Sequence, residues 1–376
     1  GGTDSTIITA IASKIVRSNI DTFTIGFKDS KFDESIYAKK IADYLGTNHN
    51  EKFLNNDNFL EIIDEVFKAY NEPFSDSSQI PTILLSKFCS EKVKVALTGD
   101  GGDELFGGYN RYLFNPRIWN VLKILPHFLR KFLSNSLDSK NKYFIKFIKY
   151  ILLNFNSRFK NVHYIDQKII QLLNAINSRD LFEFSRKLSS HIDDRSRDTT
   201  LFLDNKILKF NNVTTSINED LTGLMLNDIT TYLPGDLLVK VDRASMNFGL
   251  ETRSPFLNKE LFEFSRSLPS KYKVHNGESK IILKNLLKKM VPNHLIDRPK
   301  QGFLLPINEI LKNNEFKEEI DLLFNKEKIK NQNIFNHDFI SQIWKKYKSG
   351  YFYDQYLIWD IIVIQKWLDK NLVFEK

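Results

Sequence analysis

The apolar positions of residues 5–18 fall at Ile7, Ile8, Ile11 and Ile15, a spacing that predicts one buried face of a helix. DTFTIGF (21–27) then predicts a short buried strand. A second helical stripe runs over 33–45 through Ile36, Tyr37, Ile41 and Tyr44, with Gly46 placed to close it. Phe59, Ile62, Ile63, Val66 and Phe67 predict a third helix over 57–70, and Pro81 starts a fourth that ends near Lys92. VKVALT (93–98) reads as another strand and runs directly into GDGGDELFGGYNRY. Strands alternating with helices imply a parallel sheet with crossover helices.

From about residue 111 the texture changes: Phe, Leu, Ile and Lys recur at helical spacing, and strand-like alternation largely disappears. YFIKFIKYILLNF (143–155) predicts a basic amphipathic helix, either packed on the domain or touching an anionic membrane surface. Residues 354–370 predict a buried closing helix through Leu357, Ile358, Ile361, Ile362, Ile364, Trp367 and Leu368. No Pro/Gly/Ser-rich linker divides the chain. The expected fold class is α/β, a Rossmann-like parallel sheet with flanking helices over 1–112, with a largely helical portion, 113–376, packed on it.

Composition narrows the class. Of 376 residues, 42% are apolar and 31 are Phe, so the chain is globular with ample core. The net charge of +8 admits nucleic-acid or anionic-membrane binding, but no block of five like charges exists, and a composition rich in Lys, Asn and Ile with scattered positive charge is the favoured reading. The single cysteine, Cys89, lies in an apolar helical run and reads as core filler, which excludes a disulfide framework and suits a reducing cytoplasm. The seven histidines show no metal-ligand spacing, and no run of 18 apolar residues spans a membrane.

Two glycine-rich loops carry the candidate chemistry. GGTDST opens the chain at a helix start, where free N–H groups and the partial positive charge suit a phosphate or pyrophosphate. Gly1 and Gly2 let a backbone approach an anion, and Ser5 and Thr6 add hydroxyls. No GxxxxGK[ST] pattern occurs. Asp4 would repel a bare phosphate and makes sense holding Mg²⁺ that the phosphates also bind; its bland reading is a helix cap. The second loop, LTGDGGDELFGGY (97–109), follows a strand, so both loops can face one crevice at the carboxyl ends of strands. Asp100, Asp103 and Glu104 crowd three carboxylates into five residues, which calls for a metal or for one to act as a base. A solvated acidic turn is the bland reading, but five glycines in residues 99–108 are more than a plain turn requires.

GG-T-DS-T resembles the pyrophosphate loop of the ATP-pyrophosphatases. Residues 72–112, 236–258 (DLLVKVDRASMNFGLETRSPFLN), 276–284 (NGESKIILK) and 298–307 (RPKQGFLLPI) resemble the synthetase domain of glutamine-dependent asparagine synthetases, in that family's order. The likeness is weak over 113–220. It implies an adenine-nucleotide α-hydrolase type of fold and a cytoplasmic ligase with ATP and Mg²⁺. Such an enzyme converts aspartate to asparagine through β-aspartyl-AMP and releases pyrophosphate and AMP, with nitrogen from ammonia or glutamine. It implies small-molecule substrates, no nucleic acid, no membrane span, and a homodimer as one admissible assembly.

Carried onto this chain, the resemblance has Gly1, Gly2, Ser5 and Thr6 cradle the pyrophosphate while Asp4 and Asp103 hold Mg²⁺. Ile25 flanks the adenine, and Gly99 and Gly101 approach the nucleotide. Lys300 stabilises charge on the α-phosphate and the departing pyrophosphate. Asp100 stands where the family often has a glutamate acting on ammonia or the tetrahedral intermediate, one methylene shorter. Glu104, Asp242, Arg243, Glu251 and Arg253 shape the amino-acid pocket; for the last four the bland reading is a structural ion-pair network, and for Lys300 a surface lysine.

The family's loop has a serine before the two glycines and a buried strand before that. Their absence here leads to the expectation of a fragment of a longer chain, missing a central strand and an upstream glutaminase domain, which folds poorly as written. Three other readings stay open: amidation of another carboxylate such as a sugar acid, a catalytically dead binding protein, and an RNA-modifying ATP-pyrophosphatase.

Overall fold

The computed structural model describes residues 1–16, 19–27, 33–54, 59–136, 149–150, 165–191, 201–203, 220–296, 307–351 and 354–371. The chain divides into two compact units, Gly1–Leu113 with Met225–Phe316, and Phe114–Leu224 with Lys317–Lys376. The described strands lie in the first.

That unit starts with α1 (Thr3–Ile15), β1 (Asp21–Phe27), α2 (Ser35–Leu45) and β2 (Asn48–Leu54). Then come α3 (Phe59–Ala69), α4 (Gln79–Ser90), β3 (Val95–Leu97) and α5 (Gly102–Phe106). The apolar stripes of the sequence became these helices because the three-to-four spacing puts Ile7 and Ala10, or Ala38, Ile41 and Ala42, on one inward face. After Met225 the unit continues with α6 (Leu238–Met246), β4 (Glu251–Arg253), α7 (Lys259–Ser267), the hairpin strands β5 (Val274–His275) and β6 (Glu278–Ser279), and α8 (Ile281–Leu287).

The sheet departs from expectation. β1 and β2 pair in parallel from Asp21↔Asn48 to Phe27↔Leu54, and β3 pairs in parallel with β4 from Val95↔Glu251 to Leu97↔Arg253. Among the described residues the single Rossmann-like sheet is therefore present only as two separate parallel pairs, with β5–β6 a short antiparallel hairpin. β3 is three residues long, and Val95 and Leu97 on one of its faces stay 44% and 55% exposed, unlike an internal strand covered on both faces. β2 had no strand signature, since NHNEKFL is mostly polar; its Asn48 and Asn50 amides are used up on Asp21 of β1.

One core cluster bears directly on chemistry. Ile7 and Ala10 of α1, Leu105 and Phe106 of α5, Phe256, and Leu283 and Leu287 of α8 pack together, all nearly solvent-free. Each large side chain buried this way contributes about 1.5–3 kcal/mol. The cluster fixes where the first turns of α1 and α5 and the residue before α8 stand. Cys89 is core filler as expected: it is buried, and burial pushes its thiol up to about 12.

The second unit is helical among its described residues. Its core includes Phe184, Ile340, Ile358 and Trp359, and the expected closing helix spans Gln355–Asn371. A reciprocal amide pair, Gln332 with Gln365 at 2.9 and 2.8 Å, satisfies two buried polar side chains there. The stretch 143–155 lies outside the described residues except for 149–150. Among the described residues no helix is long and apolar enough to cross a membrane.

Candidate active site

Asp4 stands in the first turn of α1, Asp103 in the first turn of α5, and Lys280 immediately before α8. The packing of those three helices brings the side chains together. Lys280 Nζ donates to Asp4 Oδ2 and lies 2.5 Å from Asp103 Oδ1. Lys280 is only 4% exposed, and its backbone is left-handed with φ 55°. Burial pulls a lysine pKa down, but Asp4 and Asp103 outweigh it and hold the ammonium above its usual value.

Glycines wall this cluster. A Cβ at Gly99 would come 2.8 Å from Asp4 Cβ, and one at Gly102 would come 2.6 Å from Asp4 Oδ1. A Cβ at Gly108 would overlap both Asp103 Oδ1 and Lys280 Cε. The second glycine-rich loop therefore lies against the first. Gly2 is the N-cap residue of α1 without a side-chain cap bond, so Asp4 is not the cap. The Ser5 and Thr6 hydroxyls both donate to Gly2 O, at 3.1 and 2.8 Å, inward into the first turn.

A second polar group surrounds Asp100. Ser254 Oγ donates to the Asp100 carbonyl and ties the end of β4 to the loop. Burial raises the Asp100 carboxyl pKa, against a hydrogen bond from Thr98 and the charge of Lys240. Lys240 is itself buried and donates to Asp76 Oδ2 at 2.9 Å and Ser78 Oγ at 2.8 Å. Burial first, and then Asp76, push Asp236 up to about 7. Asp236 lies in a π-helical turn, Leu233–Leu237, a form that recurs at functional sites. On α5, Glu104 is 1% exposed; burial lifts its carboxyl to about 7, partly offset by the Tyr109 hydroxyl donating to Oε1 at 2.5 Å.

Other expected residues make these contacts. Ile25 is buried on β1 and belongs to the β1–β2 pair. Gly101 has a positive φ of 86° and faces Leu257. Asp242 pairs with Arg243 at 3.8 Å and Glu251 with Arg253 at 2.7 Å, all four side chains more than half exposed. They form two local pairs rather than one buried network. Lys300 lies outside the described residues.

Lys280, Lys240, Asp76 and Asp236 carry no role in the sequence reading, although NGESKIILK contains the first. One signal could have found Lys280. A lysine at the mouth of a helix opposes both capping preference and the helix dipole, and such broken local rules concentrate at functional sites.

Among the described residues no three His, Cys, Asp or Glu side chains form a metal site. A pair of carboxylates still fits Mg²⁺, which is commonly held by one or two carboxylates together with substrate phosphates. The Asp4–Asp103 pair already brackets one cation, the Lys280 ammonium.

Comparison with known proteins closes the case for the family. Glutamine-hydrolyzing asparagine synthetase 1 of Bacillus subtilis is 26% identical over 381 residues, covering 99% of this chain and 55% of the relative. A putative glutamine-hydrolyzing asparagine synthetase of Mycobacterium tuberculosis is 30% identical over 327 residues, covering 85% of this chain and 46% of the relative. The putative glutamine-hydrolyzing asparagine synthetase 2 of Methanocaldococcus jannaschii is 40% identical over 131 residues, or 35% of this chain and 25% of the relative. The chain spans about half the length of the first two. With the asparagine synthase family model matching residues 1–369, the chain belongs to the asparagine synthase family.

Proposed function

We propose that the protein activates a carboxylate with ATP and amidates it, with aspartate to asparagine as the leading substrate and product. The observation that carries this reading is the cluster of buried Lys280 with partly buried Asp4 and Asp103, behind Gly99, Gly102 and Gly108, at the start of α1. The names of the relatives support the substrate assignment.

In this reading the substrate carboxylate attacks the α-phosphorus of ATP, pyrophosphate leaves, and ammonia then displaces AMP from the acyl carbon. The N-terminus of α1, with Gly1 and Gly2, meets the pyrophosphate, where unpaired N–H groups favour an anion. Asp4 and Asp103 hold Mg²⁺, which when bound neutralises charge on the leaving group. Lys280, fixed between the same carboxylates, supplies a positive charge near the charge developing on the phosphates; the family resemblance assigns Lys300 to the same charge. Asp100, its pKa raised by burial, suits proton transfer with ammonia or the tetrahedral intermediate. Gly99 and Gly101 give the nucleotide backbone access, Ile25 flanks the adenine, and Glu104 shapes the amino-acid pocket.

Ammonia is the nitrogen source assigned to these residues. Cys89 is buried with a thiol raised to about 12, unsuited to the thiolate that cysteine-dependent glutamine hydrolysis requires. A second reading keeps the activation chemistry and changes the carboxylate. It is favoured by the exposure of Asp242, Arg243, Glu251 and Arg253, which leaves no buried recognition group among those four residues. The test is to supply ATP, Mg²⁺ and ammonium with a panel of carboxylates and follow pyrophosphate. Release with aspartate supports the first reading, release only with another carboxylate the second, and release with none removes both.

A further inference from the structure

Arg111 is absorbed by no step above, yet it is the hub of the polar cluster beside α5. Its Cζ lies 4.2 Å from the ring centroid of Tyr109 and 4.8 Å from that of Tyr232. Its Nε and Nη2 meet Asp228 Oδ2 at 2.9 and 2.8 Å, and the Tyr112 hydroxyl donates to that same oxygen at 2.5 Å. Tyr109, with its ring against the guanidinium, turns its hydroxyl back to Glu104 Oε1.

The element these groups steady is weak by itself. α5 has five residues, and both flanking glycines are left-handed, Gly101 at φ 86° and Gly107 at φ 71°. A single turn between two such hinges cannot hold its own orientation. Leu105 and Phe106 anchor its apolar side in the core, while Glu104 is tethered on the polar side by Tyr109. Arg111 is the rigid part of that tether. Its guanidinium carbon lies over two rings set at 74° to each other while its Nε donates to a partly buried carboxylate, a set of contacts that a lysine ammonium cannot make together.

Resting on the amidation reading, we propose that Arg111 is a positioning residue for the carboxylate substrate: held by Asp228, it fixes Tyr109, which in turn aims the Glu104 carboxyl in the pocket. Arg111 touches no reacting atom in this scheme; it acts through the Tyr109 hydroxyl.

The test is a double-mutant cycle read as separate KM values for the carboxylate substrate and for ATP. Tyr109→Phe keeps the ring and removes only the hydroxyl. Arg111→Lys keeps the charge and removes the Nε hydrogen bond and the guanidinium's contacts with the rings. Each single variant should raise KM for the carboxylate about tenfold, the scale of one hydrogen bond to a charged group, with KM for ATP within about twofold. The double variant should be no worse than either single one, because both act on one hydroxyl. Additive losses, an equal rise in KM for ATP, or an unchanged KM for the carboxylate in Tyr109→Phe each overturn the proposal and leave the amidation reading intact. A wild-type protein that turns over no carboxylate overturns both, which separates the two failures.

Discussion

Lys280, Asp4 and Asp103 are shut behind three glycines, whereas Asp242, Arg243, Glu251 and Arg253 stand in water as two local pairs. Both sets lie in the same unit, and both sit in segments resembling one family. What separates them is the dielectric around the charge. In the first set each charge depends on its partners, since breaking a buried pair leaves an uncompensated ion that costs several kcal/mol. In the second set water screens each charge, and such pairs are worth about 0–1 kcal/mol. A family motif shows that a charged residue is present; burial decides whether it is part of a built site.

The largest effect expected from this contrast is in Lys280→Met. Two partly buried carboxylates are then left facing each other, and stability should fall by about 2–3 kcal/mol in a chelator, read as urea midpoint or Tm. Added Mg²⁺ should recover much of the loss by binding the pair, whereas it should barely move the wild type without nucleotide. A variant as stable as wild type in chelator breaks the comparison.

Next comes Gly108→Ala, which forces a methyl into Asp103 and Lys280. A loss of about 1–3 kcal/mol is expected, together with weakened ATP-dependent turnover. The same substitution at Gly235, with nothing within 4 Å of its Cβ, is the control for a general glycine effect.

A smaller effect concerns pH. The folded Asp236 carboxyl stands at about 7, above its ordinary value of 3.8. Between those values the folded state retains a proton that the unfolded state has lost. The contribution to stability is therefore full at low pH and is lost as pH rises through about 7. From about pH 5 to about pH 8 the wild type should lose stability relative to Asp236→Asn, measured by denaturant unfolding at each pH. Parallel curves would contradict the burial and Asp76 coupling assigned to this carboxyl.

The smallest effect is in the exposed pairs. Arg253→Ala should change stability by less than about 1 kcal/mol. A larger change would show that the Glu251–Arg253 pair is more than a screened surface contact and would erase the contrast with Lys280.

Much of the first unit was legible in the chain. The apolar stripes gave α1, α2, α3 and α4 within a few residues, because each buries one face, and DTFTIGF became β1 end to end. β2 was hidden because its inward contacts are polar: Asn50 is buried and bonds Asp21, which no hydrophobic alternation reports. The division of the first unit, joining 225–316 to 1–113, has no local signal either, since it depends on contacts far apart in sequence. At the site, the convergence of the two glycine-rich loops was legible from the second loop's place at a strand end and the first loop's place at a helix start. Lys280 was not, because one lysine among many acquires meaning only when the fold buries it between two carboxylates.

The most direct test of the central claim, that the Asp4–Lys280–Asp103 cluster is where ATP is used, follows pyrophosphate and asparagine together from ATP, Mg²⁺, ammonium and aspartate, with wild type beside Asp4→Asn. The account predicts equal amounts of both products from the wild type and neither from the variant. Pyrophosphate release that persists in Asp4→Asn would contradict it.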